Sequence, residues 1–231
     1  VSQHHIKALR TLANVEIVVG GWGCRVFDDA LFNEEFQRVS ASFWTPVEVA
    51  VRVVELFEST LRALGRKDNK RVTLLDIGSG VGKFCLVAGA SRPSFDVHGI
   101  EHRPHLVASA RDASRRLGLT NAHFHDGAID DLLPTRPDLS VEDVDGFYLF
   151  NPFAENLTER HDRLDSTVDL SDARFLHDIG VMEEILRRAR VGALLITYCG
   201  FGGLLPRGQY RLVDRQTCAG TLEVWAKVRD W

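Results

Sequence analysis

The feature that most constrains the fold is a regular alternation between short apolar runs and helical stretches. From residue 71 onward, runs rich in β-branched and aromatic residues are separated by segments with an apolar residue every three or four positions. Strands that are apolar on both faces are typical of a parallel sheet covered by helices. The alternation therefore predicts an α/β protein with right-handed crossovers. The predicted parallel strands are residues 71–75, 95–100, 122–125, 144–150 and 193–198.

A strong helix-start pattern precedes the first of these strands. Thr45 is expected to cap the helix, Pro46 to occupy its first position, and Glu48 to complete a capping box. We expect a main domain over residues 45–231 and a partly helical N-terminal extension over residues 1–44.

Two further runs, residues 210–217 and 222–228, come after the fifth parallel strand. The second run carries apolar residues at alternate positions, as a half-buried strand does. These runs predict an antiparallel hairpin at the C-terminal end of the sheet.

Composition excludes several classes of protein. The 231 residues include 28 Lys+Arg and 32 Asp+Glu, with 45% hydrophobic residues, near the average of globular domains. A net charge of -4 opposes stable nucleic-acid binding by bulk charge. No apolar run approaches the roughly 20 residues of a membrane span, so we expect no membrane contact. The four cysteines are far apart and form no CxxC pair, which favours reduced thiols in a cytoplasmic protein.

A glycine-rich loop follows the first strand and begins at an acidic residue. Residues 76–82 read DIGSGVG, so glycines occupy alternate positions after Asp76. Glycine lets the backbone turn sharply from strand to helix and approach a ligand closely. The loop is therefore a candidate ligand-binding element.

Two other nucleotide-binding loops also carry glycines, and neither fits well. A Walker loop needs Ser or Thr after its Gly-Lys pair, whereas Phe84 follows Lys83 here. The dinucleotide fingerprint is GxGxxG, whereas this loop is GxGxG. The negative charge of Asp76 suits a cationic ligand better than a pyrophosphate.

With this loop, residues 45–228 resemble the class I S-adenosylmethionine-dependent methyltransferases. The resemblance implies a Rossmann-like three-layer sandwich with a mostly parallel seven-stranded sheet and a C-terminal antiparallel hairpin. It also implies that the loop packs against the methionine part of the cofactor, with its ammonium near the acid. The loop residues concerned are Asp76, Gly78, Ser79, Gly80 and Gly82.

Two more acids close predicted strands. Glu101 lies 19 residues after Gly82, near the spacing of about 20 expected for a ribose-binding acid. In the family that this sequence resembles, such an acid binds both ribose hydroxyls. The resemblance further implies that Asp126 accepts the adenine amino hydrogen, and that the Gly127-Ala128 backbone contacts the ring.

The fourth predicted strand ends in Asn151-Pro152-Phe153. This is similar to the Asn-Pro-Pro-aromatic motif of amino-group methyltransferases, in which Asn holds the acceptor nitrogen and the aromatic ring stacks on a planar acceptor. The single proline moves Phe153 one position earlier and weakens the stacking role. We take Asn151 as the catalytic candidate, with a slight preference for a nitrogen acceptor of unknown class.

Other candidates carry less weight. Phe43 and Trp44 are equally compatible with closing over the cofactor and with core packing. Four histidines follow or occupy strands, but no ligand spacing links them, so we expect no metal site. These are His102, His105, His123 and His125.

The sequence thus predicts a methyltransferase that uses S-adenosylmethionine. Two alternatives stay open: a non-catalytic scaffold that binds the cofactor, and an NAD-dependent oxidoreductase, which the glycine spacing disfavours.

Overall fold

The computed structural model describes residues 27, 31–66, 71–132, 139–217 and 219–230. Most of the predicted 1–44 extension lies outside these residues, as do Cys24 and Cys218. The division of the chain at residue 45 stays a prediction.

Seven strands form one sheet in the order β3-β2-β1-β4-β5-β7-β6. The first five run parallel, and β7 is antiparallel to both β5 and β6, as predicted. The strands are β1 Val72–Ile77, β2 Phe95–Glu101, β3 Ala122–Asp126, β4 Gly146–Phe150, β5 Leu194–Tyr198, β6 Tyr210–Thr217 and β7 Thr221–Lys227.

Helices connect the parallel strands and cover both faces of the sheet. One of these helices begins at Pro104, a residue that suits the first helical position, and Gly118, with φ +66, follows its C-terminal end. The α-helices are α1 Glu34–Phe43, α2 Val47–Ala63, α3 Lys83–Ser91, α4 Pro104–Arg116, α5 Ile129–Leu132 and α6 Asp172–Arg188. In the described part of the chain, no helix has the length and apolarity that crossing a membrane requires.

The predicted start of α2 is wrong by one position. Thr45 does not cap the helix: Pro46 occupies the N-cap position, where no side chain caps the helix, and the first helical residue is Val47. The Thr45 hydroxyl instead lies 3.0 Å from the hydroxyl of Tyr148 on β4, and both side chains are buried. A long-range partner on the sheet thus replaces the local hydrogen bond that the sequence pattern suggests.

Two hydrophobic clusters hold the layers together, one on each face of the sheet. Leu74 and Tyr148 contribute to the cluster under α2 and α3, whereas Leu75 and Phe147 contribute to the cluster under α6. Adjacent residues on one strand thus face opposite layers, as the period of two requires.

The strand order reverses between β1 and β4, since β2 and β3 lie on one side of β1 and β4 and β5 lie on the other. In the register, Asp76 on β1 pairs with Gly99 on β2 and with Tyr148 on β4. Open α/β sheets bind ligands outside the carboxyl ends of their strands at such a reversal. The glycine-rich loop lies at this point.

Candidate active site

The glycine-rich loop between β1 and α3 needs glycine for its backbone. Gly78, Gly80 and Gly82 have φ angles of +72, +55 and +77, in the left-handed region that L-residues rarely adopt. The loop is tied to the end of β2, because the amides of Gly78 and Ser79 both donate to the carbonyl of Ile100 at 2.9 Å. The loop is therefore held rigidly against the second strand.

Packing gives a second reason for two of these glycines. A Cβ on Gly80 would lie 2.6 Å from the ring of Trp44, and one on Gly82 would lie 2.3 Å from Phe124. Trp44, just before α2, is buried, and its indole nitrogen donates to the carbonyl of Phe36 at 3.2 Å. Trp44 thus packs on the loop, and Gly82 serves the contact between α3 and β3.

Glu101 closes β2 and is only 5% exposed. One carboxylate oxygen accepts from the amide of Gly80 at 3.0 Å and the other from the amide of Arg103 at 2.9 Å. Burial raises the pKa of Glu101, and the Arg103 amide, the Arg103 charge and the Gly80 amide oppose that rise. A carboxylate has about four acceptor sites, so Glu101 can still accept a further hydrogen bond.

Asp76, near the end of β1, lies deeper than sequence reasoning implied. It is 4% exposed, and the thiol of Cys85 on α3 donates to it at 3.4 Å. Burial raises the pKa of Asp76 to about 7; the Cys85 hydrogen bond lowers it, and the charge of Glu101 adds to the rise. Asp76 lines neither of the two hollows described below. Its charge can act on a ligand there only across the glycine-rich loop.

Two hollows open at this edge of the sheet, and Gly78 and Glu101 line both. The small hollow lies on the β2–β3 side, between His102, Ala128 and Phe153. The cleft, about 380 Å³ in volume, lies on the β1–β4 side. Gly78 and Glu101 therefore lie between the two hollows.

The residues after β3 form one wall of the small hollow. Gly127 and Ala128 line it, and the Gly127 amide donates to the carbonyl of Glu101 at 3.0 Å. Asp126 pairs with Glu101 in the strand register, but its side chain is exposed and does not line the hollow. The backbone part of this predicted site is thus brought together, and the carboxylate lies outside it.

Asn151 follows β4 and lines the cleft. Its backbone has φ +42, a left-handed conformation that asparagine tolerates better than most residues, and its amide donates to the carbonyl of Gly200 at 3.1 Å. The side chain is exposed at the rim. The turn therefore places Asn151 at the rim of the cleft.

Phe153 does not take the stacking position of the motif that the sequence resembles. It is buried in the cluster under α6 and lines the small hollow, on the opposite side from the cleft. The missing second proline accounts for this shift of one position. Aromatic rings in the cleft come instead from Phe43, Trp44 and Phe150.

Sequence reasoning missed Arg103, which is buried beside Glu101. Its guanidinium binds Glu155 at 2.9 Å and Asp165 at 3.2 Å, so both acids are held near the cleft. Glu155 also accepts from the amide of Leu164 at 2.6 Å. Arg103 lies more than 50 residues before Glu155 and Asp165, and no local pattern links it to them.

Comparison with known proteins identifies the family. Residues 68–201 match the methyltransferase domain family. The chain belongs to this family. Because the match covers more than half of the sequence and includes β1 to β5, the predicted methyltransferase domain with S-adenosylmethionine as its cofactor is confirmed.

Two curated relatives share part of the methyltransferase domain. The release factor glutamine methyltransferase of Vibrio cholerae is 34% identical over 91 residues, which cover 39% of this chain and 30% of that protein. An uncharacterised RNA methyltransferase of Enterococcus faecalis is 32% identical over 94 residues, 38% of this chain and 20% of that protein. The alignments thus cover less than a third of the length of these relatives.

A solved structure agrees with the fold. The RNA methyltransferase of Salinibacter ruber, in complex with S-adenosyl-L-homocysteine, superposes with a TM-score of 0.53 and 16% identity, covering 81% of this chain and 95% of that one. At this identity the likeness shows the fold, and the predicted Rossmann-like architecture is confirmed.

Proposed function

We propose that this methyltransferase domain transfers a methyl group to a nitrogen atom of a neutral or positively charged acceptor bound in the cleft. The observation that carries the proposal is the position of Asn151, at the rim of a cleft whose charged lining residues are mostly acidic. The relatives' substrates differ from one another, so the acceptor class has to be argued from the site itself.

In this proposal the cofactor lies across the two hollows. Glu101, between them, offers two carboxylate oxygens for the ribose diol, and Gly127 and Ala128 offer a backbone wall for adenine. The methionine part would then lie along Gly78 and Gly80 in the cleft. When bound, S-adenosylmethionine supplies a sulfonium methyl group that an acceptor lone pair can displace.

The Ser79 hydroxyl is not part of this placement. Its side-chain oxygen is buried, makes no hydrogen bond with any described residue and lines neither hollow. It lies 2.7 Å from the position that a Cβ on Gly99 of β2 would take. The loop would therefore contact the cofactor through Gly78 and Gly80.

Asn151 is suited to orienting an amino or amide nitrogen. Its side-chain oxygen accepts a hydrogen bond and can thus fix a nitrogen with its lone pair pointing toward the cofactor. Holding the reacting atoms in line accounts for much of the rate gain in a transfer of this kind. Asn151 is therefore the proposed catalytic residue.

The charge in the cleft argues against an RNA backbone as its occupant. Among the described lining residues, the acids are Glu101, Glu155 and Asp162, whereas the one cation is Arg103. Arg103 is already paired with Glu155 and Asp165. Phosphate groups need cations that are available for contact, so an uncharged or cationic acceptor is favoured over RNA.

A labelled-methyl assay tests the proposal. The purified chain is incubated with S-adenosylmethionine carrying a radioactive methyl group and with cell extract separated into protein, nucleic-acid and small-molecule fractions. Label is expected in protein or in amine-containing small molecules. Label confined to RNA would contradict the acceptor class, and cofactor binding without any transfer would favour the scaffold alternative.

The cytoplasmic location expected from the cysteine spacing is kept in this proposal. Cys85 and Cys199 carry free thiols, one buried and one exposed, which is compatible with a reducing compartment.

A further inference from the structure

A cluster of histidines and one aspartate lies on β2 and β3, away from the active site. Asp96 and His98 lie two residues apart on β2, so their side chains share one face of the sheet. His98 pairs in register with His123 on β3, which places His123 on the same face. Glu101 is five residues from Asp96 along the strand, a distance of about 16 Å.

The atoms of this cluster are close enough to share one ion. One oxygen of Asp96 lies 3.0 Å from Nε2 of His123, and the other lies 3.8 Å from Nε2 of His98. One ligand atom from each residue falls within 4.8 Å of the other two. Ligand atoms about 2.0–2.2 Å from a tetrahedral zinc ion lie roughly 3.3–3.6 Å apart, within the range of these distances.

We infer that Asp96, His98 and His123 form a binding site for a divalent transition-metal ion of the zinc type. Two imidazoles and one carboxylate are a donor set that zinc, cobalt and nickel accept, whereas magnesium and calcium prefer oxygen ligands alone. The site goes beyond the proposed methyl transfer and does not depend on it. It revises the expectation of no metal site, which treated His123 without Asp96 or His98.

His125 would position His98 for this role. Nδ1 of His98 lies 2.9 Å from Nε2 of His125, and the two buried rings are stacked 9° from parallel. With Nε2 of His98 on the ion, Nδ1 carries the proton and donates to His125. Metal-bound histidines usually donate their second nitrogen to a fixed acceptor in this way.

The ion can reach the site from solvent. The side chains of Asp96 and His123 are 25% and 42% exposed, which leaves space for a water molecule at a fourth position. Arg71 lies 3.7 Å from Asp96 and competes for the carboxylate, but its side chain is 64% exposed and can turn into solvent. Because β3 is the edge strand, a bound ion would fasten that edge to β2.

Cobalt titration of the full, metal-free chain tests the inference. Co²⁺ in a four-coordinate site absorbs visible light, so a saturable absorption change at one equivalent is expected, with displacement by Zn²⁺ and none by Mg²⁺. His123→Gln and Asp96→Asn should each weaken Co²⁺ binding at least tenfold, and His125→Gln should weaken it about tenfold. Thermal melts without metal check that each variant folds.

The controls separate this site from other histidines. His161→Gln changes an exposed histidine outside the cluster, and a double His4→Gln/His5→Gln variant changes two near the N-terminus; both should bind Co²⁺ as the unmodified chain does. Zn²⁺ should raise the melting temperature of the unmodified chain but not that of His123→Gln. Equal Co²⁺ binding by the unmodified chain and His123→Gln, or no saturable change at millimolar Co²⁺, would overturn the inference.

Discussion

The small hollow and the cleft share Glu101 and Gly78 but balance their charges differently. In the small hollow, the buried Asp178 forms an ion pair with Arg174 at 2.8 Å. Beneath the loop that borders the cleft, the buried Asp76 has a thiol as its hydrogen-bond partner. Asp178 in the small hollow thus has a cationic partner, whereas Asp76 beneath the loop has none among the residues that the structure describes.

The largest expected effect is the dependence of folding stability on the ionisation of the buried Asp76. Because burial holds the pKa of Asp76 at about 7 against 3.8 for an ordinary aspartate, the folded chain binds a proton that the unfolded chain releases between these values. Stability from this group is full below pH 3.8 and is lost as pH rises to 7, by about 4 kcal/mol at about 1.4 kcal/mol per pKa unit. Denaturant unfolding at pH 5 and pH 8 should show about 3 kcal/mol of this loss, since about two pKa units lie between pH 5 and pH 7, and Asp76→Asn should reduce it.

The same acid predicts how cofactor binding depends on pH. A cationic ligand favours ionised Asp76, so affinity for S-adenosylmethionine should fall as pH drops from 8 to 6, by up to tenfold per unit below 7. Calorimetry of the unmodified chain and Asp76→Asn gives the comparison. An identical pH dependence in both would show that Asp76 does not sense the ligand.

The next prediction distinguishes a role of Asn151 in orienting the acceptor from a role in binding the cofactor. Asn151→Gly keeps the left-handed backbone but removes the carboxamide, so turnover should fall about a hundredfold, as for loss of one aligned polar group. Cofactor affinity should stay within twofold, because the proposed cofactor contacts of the loop and Glu101 are unchanged. Asn151→Asp, which keeps the shape of the side chain, is the matched control. A large loss of cofactor affinity would assign Asn151 to the cofactor site instead.

A pair of glycines tests the packing of Trp44 on the loop. Gly80 and Gly118 both have positive φ, but a Cβ on Gly80 would clash with Trp44, whereas one on Gly118 meets open space. Gly118→Ala should cost about 1 kcal/mol, and Gly80→Ala about 2 kcal/mol more because of overpacking. Chemical denaturation measures both, and equal costs would mean that Trp44 moves aside freely.

The smallest expected effect is that of substituting Glu101, which lines both hollows. Glu101→Gln removes one acceptor oxygen and the charge, so cofactor affinity should fall at least tenfold, or about 1.4 kcal/mol. The exposed Glu184→Gln is the control for a surface charge. Unchanged affinity would refute the ribose role of Glu101.

The sequence predicted the strand ends and the glycine-rich loop better than the side chains that line the two hollows. Asp76, Glu101 and Gly127 all lie at strand ends, where local alternation and spacing reveal position. The cleft is built from Trp44, Arg103 and residues after β4 that meet only through the tertiary fold. Local patterns carry no information on such contacts, which is also why the Thr45 cap was wrong.

The histidine cluster shows the same limit in another form. An alternating Asp-x-His on β2 and His-x-His on β3 can be read from the sequence, but the pairing of His98 with His123 depends on the register between two strands 25 residues apart. Only the assembled sheet brings the two patterns together.

The hydrogen bond between Thr45 and Tyr148 has a consequence for acceptor choice. Thr45 is adjacent to Trp44, and Tyr148 is three residues before Asn151. The hydrogen bond between the two hydroxyls therefore connects the two sides of the cleft. Substitution of Thr45 or Tyr148 would therefore change the width of the acceptor entrance, and through Trp44 it would also alter the packing on Gly80 of the glycine-rich loop.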